Sequence, residues 1–286
     1  MGILFLGITA AGAQSGGGHG GALAGAKGAE KAPASLSPVV TEYGHVTLSV
    51  DGVGMAGTIT STGVLQVEKP REASVRGAYL AVASAGLQPY QIPDGEIQLG
   101  GSGVTWTDVV TSSVESYNHW ADVTAIVQPI VDAAPAGLIE LVVTEPQSLL
   151  VDGAILAVIF NDQGVVTNST VSLLFGAQNI AGETFAIRLA EPADLDDPEL
   201  TFDMSLGISF GCQGSPVCAG GPNAQYSQIE VNDNRMSTAA GGQDDGQLND
   251  GVLFTVGGLG DSNDNPADPL ALPQDTRDDD ELYSLI

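Results

Sequence analysis

The sequence predicts an all-β fold, namely an antiparallel two-sheet sandwich or jelly roll with one short helix. Short segments with apolar residues at period two recur along the chain, separated by Gly, Pro, Asp and Asn. The 38 glycines among 286 residues favour short strands joined by tight turns. Only one segment has helical spacing, whereas a parallel sheet would need a helix at each crossover. Together these observations favour antiparallel sheets that pack face to face.

The N-terminal residues 1–13, MGILFLGITAAGA, form an apolar run that ends on small residues. Such a run and such an ending are typical of a secretory signal peptide, and the run is too short to span a bilayer. We therefore interpret residues 1–13 as a partial signal peptide without its positively charged start; a disordered apolar N-terminus is the alternative. Residues 14–37 are rich in Gly, Ala and Ser and are predicted to be a linker.

Residues 38–286 are predicted to form the β-sandwich domain. Its predicted strands, in chain order, are 45–50, 57–67, 74–84, 95–99, 103–110, 137–144, 149–161, 165–175, 183–189, 199–210, 225–231 and 251–256. The 74–84 segment is nearly continuously apolar, so we expect it in the centre of a sheet. The GGSG sequence at 100–103 is predicted to be a hairpin turn, and Trp106 is expected to pack inward.

The helical segment is predicted over residues 118–133, where five apolar residues share one face: Trp120, Val123, Val127, Ile130 and Val131. Asn118 is the candidate N-cap. Pro129 either limits the length of this helix or kinks it. We interpret the helix as a short crossover rather than as a helical layer.

The charge of the chain excludes several classes of partner. Eight Lys and Arg oppose 35 Asp and Glu, which gives a formal net charge of −27. Nucleic acids and anionic lipid heads repel such a surface, because binding them requires cations that neutralise phosphates. We therefore expect no nucleic-acid partner and no membrane insertion. The same charge raises the local concentration of divalent cations.

The two cysteines, Cys212 and Cys218, lie in the Gly- and Pro-containing segment GCQGSPVCAGG. A disulfide between them is predicted for an oxidising compartment, where it would contribute roughly 2 kcal/mol. Two buried free thiols are the alternative. A metal site is a poorer interpretation, since no His or further Cys is near in the sequence.

The acidic C-terminal region contains the candidate metal ligands. Asp261, Asn263 and Asn265 place oxygens at alternate positions, as in the first half of an EF-hand loop. Pro266 then replaces the glycine of the sharp turn, and Leu272 stands where a bidentate Glu is needed, so an EF-hand is not predicted. A looser calcium site is the remaining hypothesis, completed either by Asp268 or by other carboxylates of this region, namely Asp244, Asp245, Asp250 and residues 278–280. Solvated loops that use Asp and Asn for turn geometry are its alternative.

No catalytic residues are predicted. The sequence lacks a G-x-S-x-G elbow and has no Cys near a His. His119 lies next to Trp120 and near Asp122, but a lone partly buried His is usually held by a structural hydrogen bond. Carboxylate pairs give no signal for a glycosidase, because with 35 acidic residues some pair always has a suitable separation.

Four segments carry a resemblance to a known class of modules: SVRGAYLAVASAG (74–86), WADVTAIV (120–127), GLIELVV (137–143) and VDGAILAVIFND (151–162). Their succession resembles β-sandwich modules of unknown function in bacterial secreted and cell-surface proteins, which often precede sorting tails of the PEP-CTERM kind. The resemblance spans residues 75–286 in the order of elements. In similar modules the DDELY segment (279–283) leads into further strands, so we expect the domain to be truncated at its C-terminus and the chain to be a fragment.

These observations predict a secreted, non-enzymatic structural or adhesive module of the bacterial cell surface, with calcium as a candidate stabilising ion. Its expected partners are cell-surface or matrix components or glycans. A carbohydrate-binding module is the first alternative, and a jelly-roll glycoside hydrolase is a weaker one. An exposed line of four aromatic residues on one sheet face would favour sugar binding, whereas their burial would favour the structural role: Tyr90, Trp106, Tyr117 and Trp120.

Overall fold

A computed structural model describes residues 2–9, 35–54, 62–84, 89–112, 115–147, 149–177, 184–186, 196, 200–211, 227–240, 253–256, 259–260 and 282–285. Within these ranges the chain forms seventeen strands and one helix: β1 (Gly2–Thr9), β2 (Ser37–Gly44), β3 (Val46–Gly54), β4 (Thr62–Lys69), β5 (Ser74–Ser84), β6 (Gln98–Leu99), β7 (Ser102–Gly103), β8 (Asp108–Thr111), β9 (Tyr117–Asp122), α1 (Thr124–Ala133), β10 (Gly137–Thr144), β11 (Val151–Asn161), β12 (Ser169–Phe175), β13 (Thr201–Gly211), β14 (Ser227–Val231), β15 (Asn234–Ala240), β16 (Leu253–Val256) and β17 (Leu282–Ser284). The predicted all-β sandwich with one short helix is confirmed, but it contains three larger sheets and a hairpin where two sheets were expected.

The strands form three antiparallel sheets and a separate hairpin. The central sheet has the order β3-β11-β5-β9-β8, and a four-stranded sheet has the order β4-β10-β6-β7. A six-stranded sheet has the order β16-β13-β1-β12-β2, with β17 also paired to β13. The hairpin consists of β14 and β15.

Both faces of the central sheet are covered, and β11 shows this most clearly. On one face Leu156 and Val158 join a core that includes the four-stranded sheet and α1. On the other face Ile155 and Ala157 join a second core with residues of the six-stranded sheet. A strand that is buried on both faces needs apolar residues at consecutive positions. This explains why β5 and β11 lack the polar alternation of a half-exposed strand.

A third, smaller core lies on the six-stranded sheet. Leu174 of β12 and Met204 of β13 are buried in it, whereas the neighbouring Leu173 belongs to the core with the central sheet. Ile229 and Met236 of the β14–β15 hairpin pack against this smaller core. The six-stranded sheet therefore also carries apolar side chains on both of its faces.

The predicted helix over 118–133 is wrong in its first part. Residues Tyr117–Asp122 form strand β9, and the helix begins only at Thr124, with Val123 as its N-cap. Asn118, the candidate cap, instead donates a hydrogen bond from Nδ2 to the carbonyl of Gly176. The strand does not alternate between apolar and polar residues because both faces of the central sheet are covered, so its sequence reads as the start of a helical stripe.

Helix α1 covers a free edge of β5. Strand β9 pairs with Tyr79–Ala83, which leaves the preceding residues of β5 without a strand on that side. The edge amides instead donate to helix side chains: Ala78 to Thr124 Oγ1 at 2.9 Å, and Val75 to Asp132 Oδ1 at 2.8 Å. Gln128 Nε2 donates to the carbonyl of Val75 at 3.0 Å. The positions 124, 128 and 132 recur every four residues, so one face of the helix completes the sheet edge.

Side chains of β3 cap the edge of β4 in a similar way. The amide of Glu68 donates to Ser49 Oγ at 3.1 Å, and the amide of Gln66 donates to Asp51 Oδ2. Ser49 and Asp51 are both buried. Polar residues inside β3 thus connect the central sheet to the four-stranded sheet where no backbone ladder joins them.

The predicted turn within the GGSG sequence is confirmed, but its predicted arms, 95–99 and 103–110, are too long. The arms are only the two-residue strands β6 and β7, and β8 belongs to the central sheet. Strands β6 and β7 pair through Gln98–Gly103 and Leu99–Ser102. Gly100 and Gly101 both have positive φ, at 56° and 80°. Two successive residues with positive φ are characteristic of the type I′ turn, which explains why glycines occupy both positions.

The apolar N-terminal segment lies inside the six-stranded sheet. Residues Gly2–Thr9, which the sequence assigned to a partial signal peptide, pair as β1 with both β12 and β13. Strand β2 then begins at Ser37, the last residue of the predicted linker. Among the described residues, no helix is both long and apolar enough to cross a membrane.

Candidate functional site

Two of the predicted sites lie outside the described residues. These are the proposed disulfide, Cys212 with Cys218, and the calcium ligands Asp261, Asn263, Asn265 and Asp268. In the part of the chain that the structure describes, no three His, Cys, Asp or Glu side chains come together in a group that could hold a metal ion. The remaining candidate residues form two groups, one around β9 and one where β6 pairs with β10.

His119 is the most buried titratable residue of this region. It lies in the middle of β9 and has no exposed surface. Its Nε2 accepts a hydrogen bond from the amide of Ile92 at 3.0 Å. Burial lowers the pKa of His119 to about 4, and the backbone of Val82 and Tyr117 opposes this shift only partly. The imidazole is therefore neutral at physiological pH and holds the loop before β6 against the sheet.

Aromatic rings surround β9 on both sides. The Trp106 ring lies 5.0 Å from the ring of His119, and Tyr117 lies 6.4 Å from it. On the opposite face Trp120 stacks on Tyr79 at 5.5 Å and contacts Phe175 of the six-stranded sheet at 5.4 Å. Trp120 is only 6% exposed. The predicted inward packing of Trp106 is confirmed, since this side chain packs against the core shared with the four-stranded sheet.

Three further side chains form what we call the carboxyl cluster: Tyr90, Glu96 and Glu145. Glu96 lies just before β6 and Glu145 just after β10, and the pairing of these two strands brings the two acids into one region. The Tyr90 hydroxyl donates to Glu96 Oε1, and the amide of Gln147 donates to Glu145 Oε2. Glu145 is 1% exposed, and its Oε1 has no hydrogen-bond partner among the residues that the structure describes.

The two carboxyl groups of the carboxyl cluster are close enough for the charge of Glu96 to affect the pKa of Glu145. Burial raises the pKa of Glu145; the amide of Gln147 opposes this effect and the charge of Glu96 adds to it. Burial and the hydrogen bond to Glu96 also raise the pKa of the Tyr90 phenol. A carboxyl group with a raised pKa is suited to general acid catalysis. Glu145, however, has almost no exposed surface with which to meet a substrate.

The other histidine of the folded part, His45, has a local structural contact. Its Nδ1 lies 2.6 Å from the carbonyl oxygen of Val165, and its own carbonyl accepts from the amide of Asp162 at 2.9 Å. Both contacts hold the connection between β11 and β12 against the start of β3. His45 and His119 are therefore engaged in different parts of the fold and do not form a pair.

Sequence reasoning anticipated the structural hydrogen bond of His119 but did not identify the carboxyl cluster. Glu96 and Glu145 are far apart in the chain, and both follow or precede ordinary strand sequences. Their proximity depends on the pairing of β6 with β10, which sequence patterns do not specify. Tyr90, by contrast, lies only six residues before Glu96. This short separation is the one feature of the sequence that could have indicated their contact.

Comparisons of this chain with protein-family models, with curated proteins and with solved structures find no match.

Proposed function

We propose that this chain is a secreted, non-enzymatic structural or adhesive module of a bacterial cell surface. The main support for this proposal is that the two buried residues with the clearest pKa shifts, His119 and Glu145, make structural hydrogen bonds. His119 is fully buried and neutral, and Glu145 is 1% exposed. Each holds a loop in place through the amide of Ile92 or of Gln147.

The aromatic residues support the same proposal over the carbohydrate-binding alternative. Trp120 is buried between two sheets, and Trp106 and Tyr90 pack against a core. A sugar-binding platform needs ring faces that a ligand can reach, since stacking requires direct contact. Trp106 and Trp120 also lie on opposite sides of the central sheet, since Trp106 packs against the core with the four-stranded sheet and Trp120 belongs to the core with the six-stranded sheet.

The bacterial surface setting rests on the sequence resemblance alone, because Gly2–Thr9 of the predicted signal peptide pairs as β1 inside the six-stranded sheet. The strong negative charge is compatible with an exposed, hydrated surface protein, because it favours solubility. Calcium is retained in the proposal as a candidate stabilising ion at Asp261, Asn263, Asn265 and Asp268.

The test of the non-enzymatic role is a matched set of variants assayed on chromogenic glycosides and esters. Glu145→Gln and Glu96→Gln remove the two acids of the carboxyl cluster, and Glu140→Gln changes an exposed acid on β10 as the control. We expect no turnover by the unmodified chain and none by any variant. Turnover that the unmodified chain and the control share, and that the two cluster variants lose, would overturn the proposal.

A second measurement addresses the location. The protein is detected with an antibody in the cells that produce it naturally, and protease is added to these cells while they are intact. We expect the protein to be degraded in intact cells, as a surface protein would be. Complete protection until the cells are lysed would contradict the surface location while leaving the non-enzymatic role intact.

A further inference from the structure

Strand β1 fills a gap between two strands that do not pair with each other. We propose that this gap is a strand-acceptor site, and that a second copy of the chain can fill it with its own Gly2–Thr9 segment. The ligand class is an uncharged, extended peptide that binds through its backbone. The inference concerns how copies associate, so it goes beyond the proposed function and does not rest on it.

The register shows how completely the segment occupies the gap. On one side it pairs with β12 from Leu4–Leu174 to Thr9–Ser169. On the other side it pairs with β13 from Gly2–Ile208 to Thr9–Thr201. Both ladders are antiparallel and continuous. An added strand of this kind is held mainly by main-chain hydrogen bonds, which any copy of the same segment can reproduce.

Removing β1 would divide the six-stranded sheet. Within the described part of the chain, β12 would keep β2 on its far side, and β13 would keep β16 and β17. Two facing rows of unpaired amides and carbonyls would then remain in the middle of the sheet. Unpaired edges of this kind are templates for another strand. The sheet therefore needs an occupant at this place, whichever molecule supplies it.

The segment itself also needs a partner strand. Its sequence, GILFLGIT, contains no charged residue and five large apolar ones. Leaving it in water would expose apolar surface at a cost of about 25 cal/mol for each Å². A copy that loses its own contact with the gap is thus driven to another gap, and an identical chain provides one of the right register.

The connection to the rest of the chain permits an exchange between copies. Residues 10–34 provide 25 residues between Thr9 and the next described residue, Ser35. A chain of that length can reach at most about 80–90 Å when it is fully extended. The start of β2 lies one strand away across β12, about 10 Å in the plane of the sheet and about 20 Å along the strands. The tether is therefore long enough to deliver the segment to a neighbouring molecule.

Both modes of filling contain the same contacts, so concentration decides between them. An intramolecular segment has an effective concentration of the order of millimolar when the tether matches the span. We therefore expect filling by the chain's own segment in dilute solution and exchange between copies as the protein approaches about 1 mM. Exchange of an identical element is a low-cost route to an assembly.

The test is disulfide trapping between two full-length variants. Thr9→Cys is mixed with Ser169→Cys, two positions that face each other in the register. The mixture is equilibrated in a glutathione buffer from micromolar to millimolar protein, and linked peptides are identified by mass spectrometry. The matched control replaces Ser169→Cys with Glu140→Cys, an exposed position on β10 of the four-stranded sheet. The double variant Thr9→Cys/Ser169→Cys reports filling within one chain.

We expect the Thr9–Ser169 link between copies to rise with concentration and to exceed the control link by at least about tenfold near 1 mM. A link between copies that never exceeds the control would overturn the proposed exchange. Absence of the internal link in the double variant as well would overturn the acceptor site itself.

Should the cysteine variants fail to fold, the unmodified chain is compared with Leu6→Pro by sedimentation over the same concentrations. A proline in β1 removes a ladder hydrogen bond. Concentration-dependent dimers of the unmodified chain that Leu6→Pro lacks would support the exchange. A chain that stays monomeric at about 1 mM would contradict it.

Discussion

His119 illustrates how burial decides the role of a single residue. The neutral imidazole accepts the Ile92 amide without exposed surface, and its pKa is lowered to about 4 by that burial. The folded chain therefore binds fewer protons than the unfolded chain between pH 4 and the ordinary value of 6.5. The stability that depends on the neutral ring is present above pH 6.5 and is lost as pH falls toward 4.

The first prediction follows from that titration. Acidification from pH 7 to pH 4 should lower the free energy of unfolding by up to about 3 kcal/mol through His119 alone. His119→Gln retains an acceptor for the Ile92 amide but does not titrate, so its stability should fall less over the same range. Urea unfolding at a series of pH values measures both slopes. Equal slopes for the unmodified chain and for His119→Gln would contradict the prediction.

Lys69 at the end of β4 shows a residue whose role the sequence did not indicate. Its Nζ donates to three carbonyls at the C-terminal end of α1: Val131 at 2.9 Å, Asp132 at 3.1 Å and Ala134 at 2.9 Å. The helix has no basic residue of its own in its last turn. A buried cation from a neighbouring strand thus satisfies the free carbonyls and interacts favourably with the helix dipole.

The second prediction is that Lys69→Met destabilises the fold by roughly 2–4 kcal/mol, because three carbonyls lose a charged donor while the apolar stem is kept. Thermal and urea unfolding measure the change. Arg71→Met removes an exposed cation two residues further along and should change the stability by less than about 0.5 kcal/mol. A Lys69→Met variant as stable as this control would show that the three hydrogen bonds contribute little.

At the scale of elements, the edges of the sheets are completed by side chains. Helix α1 covers the free edge of β5 with Thr124, Gln128 and Asp132. Strand β3 covers the edge of β4 with Ser49 and Asp51. Because open edges invite pairing with other chains, such caps both orient the neighbouring layers and keep these strands from further pairing.

The third prediction concerns the cap on β4. Asp51→Ala removes the acceptor of the Gln66 amide from a buried position and should cost about 1–3 kcal/mol. Asp51→Asn keeps a side-chain oxygen and should cost less. Urea unfolding compares both with Glu140→Ala, the exposed control on the neighbouring β10. If alanine and asparagine at position 51 prove equally harmful, the charge or shape of the aspartate matters and the hydrogen bond to Gln66 does not.

The strand boundaries that the sequence specified best are those with clear local signals. Strands β5 and β10 have the predicted limits, 74–84 and 137–144, since turn residues and glycine flank them. Strand β9 was predicted as part of a helix because layers cover both of its faces. Four consecutive residues are therefore buried, and the period-two pattern of a half-exposed strand is absent. The apolar N-terminal segment carries the composition of a signal peptide and of a central strand alike, so composition alone does not separate the two.

The candidate site was predictable to a smaller extent than the fold. The inward packing of Trp106 and the structural hydrogen bond of His119 follow from local patterns. The carboxyl cluster and the Lys69 contacts arise from pairing and packing between segments that are distant in the chain. Such contacts depend on register and layer order, and a single sequence does not encode these in any local pattern.

At the scale of the whole molecule, neighbouring hydrophobic cores share a sheet. The central sheet contributes to two cores, and the six-stranded sheet contributes to the second and third. A substitution at Ile155 therefore changes the packing of the second core, whereas a substitution at the neighbouring Leu156 changes the packing of the first. We infer that the first two cores unfold together, since neither can lose the central sheet without the other.

The net charge of −27 opposes this compact arrangement, and it bears on the calcium hypothesis. In the described part of the chain two ion pairs are formed, Arg76 with Glu42 and Arg235 with Glu230. Because 35 acidic residues share only 8 Lys and Arg, most acidic side chains repel one another without a cation to pair with. Screening by salt should weaken this repulsion, because the Debye length falls from about 10 Å at 0.1 M to about 3 Å at 1 M.

The fourth prediction separates screening from a calcium site. Sodium chloride should raise the melting temperature, and magnesium and calcium at equal ionic strength should raise it equally if screening is the whole effect. A calcium site at Asp261, Asn263, Asn265 and Asp268 would add about 2.7 kcal/mol at a calcium concentration one hundred times the Kd. Differential scanning calorimetry with each salt and with a chelator measures this difference. The combined variant Asp261→Ala/Asp268→Ala should lose the calcium-specific rise in melting temperature and keep the rise caused by sodium chloride. Equal melting temperatures in calcium and magnesium would remove calcium from the proposal, and the acidic loops would then be a solvated surface.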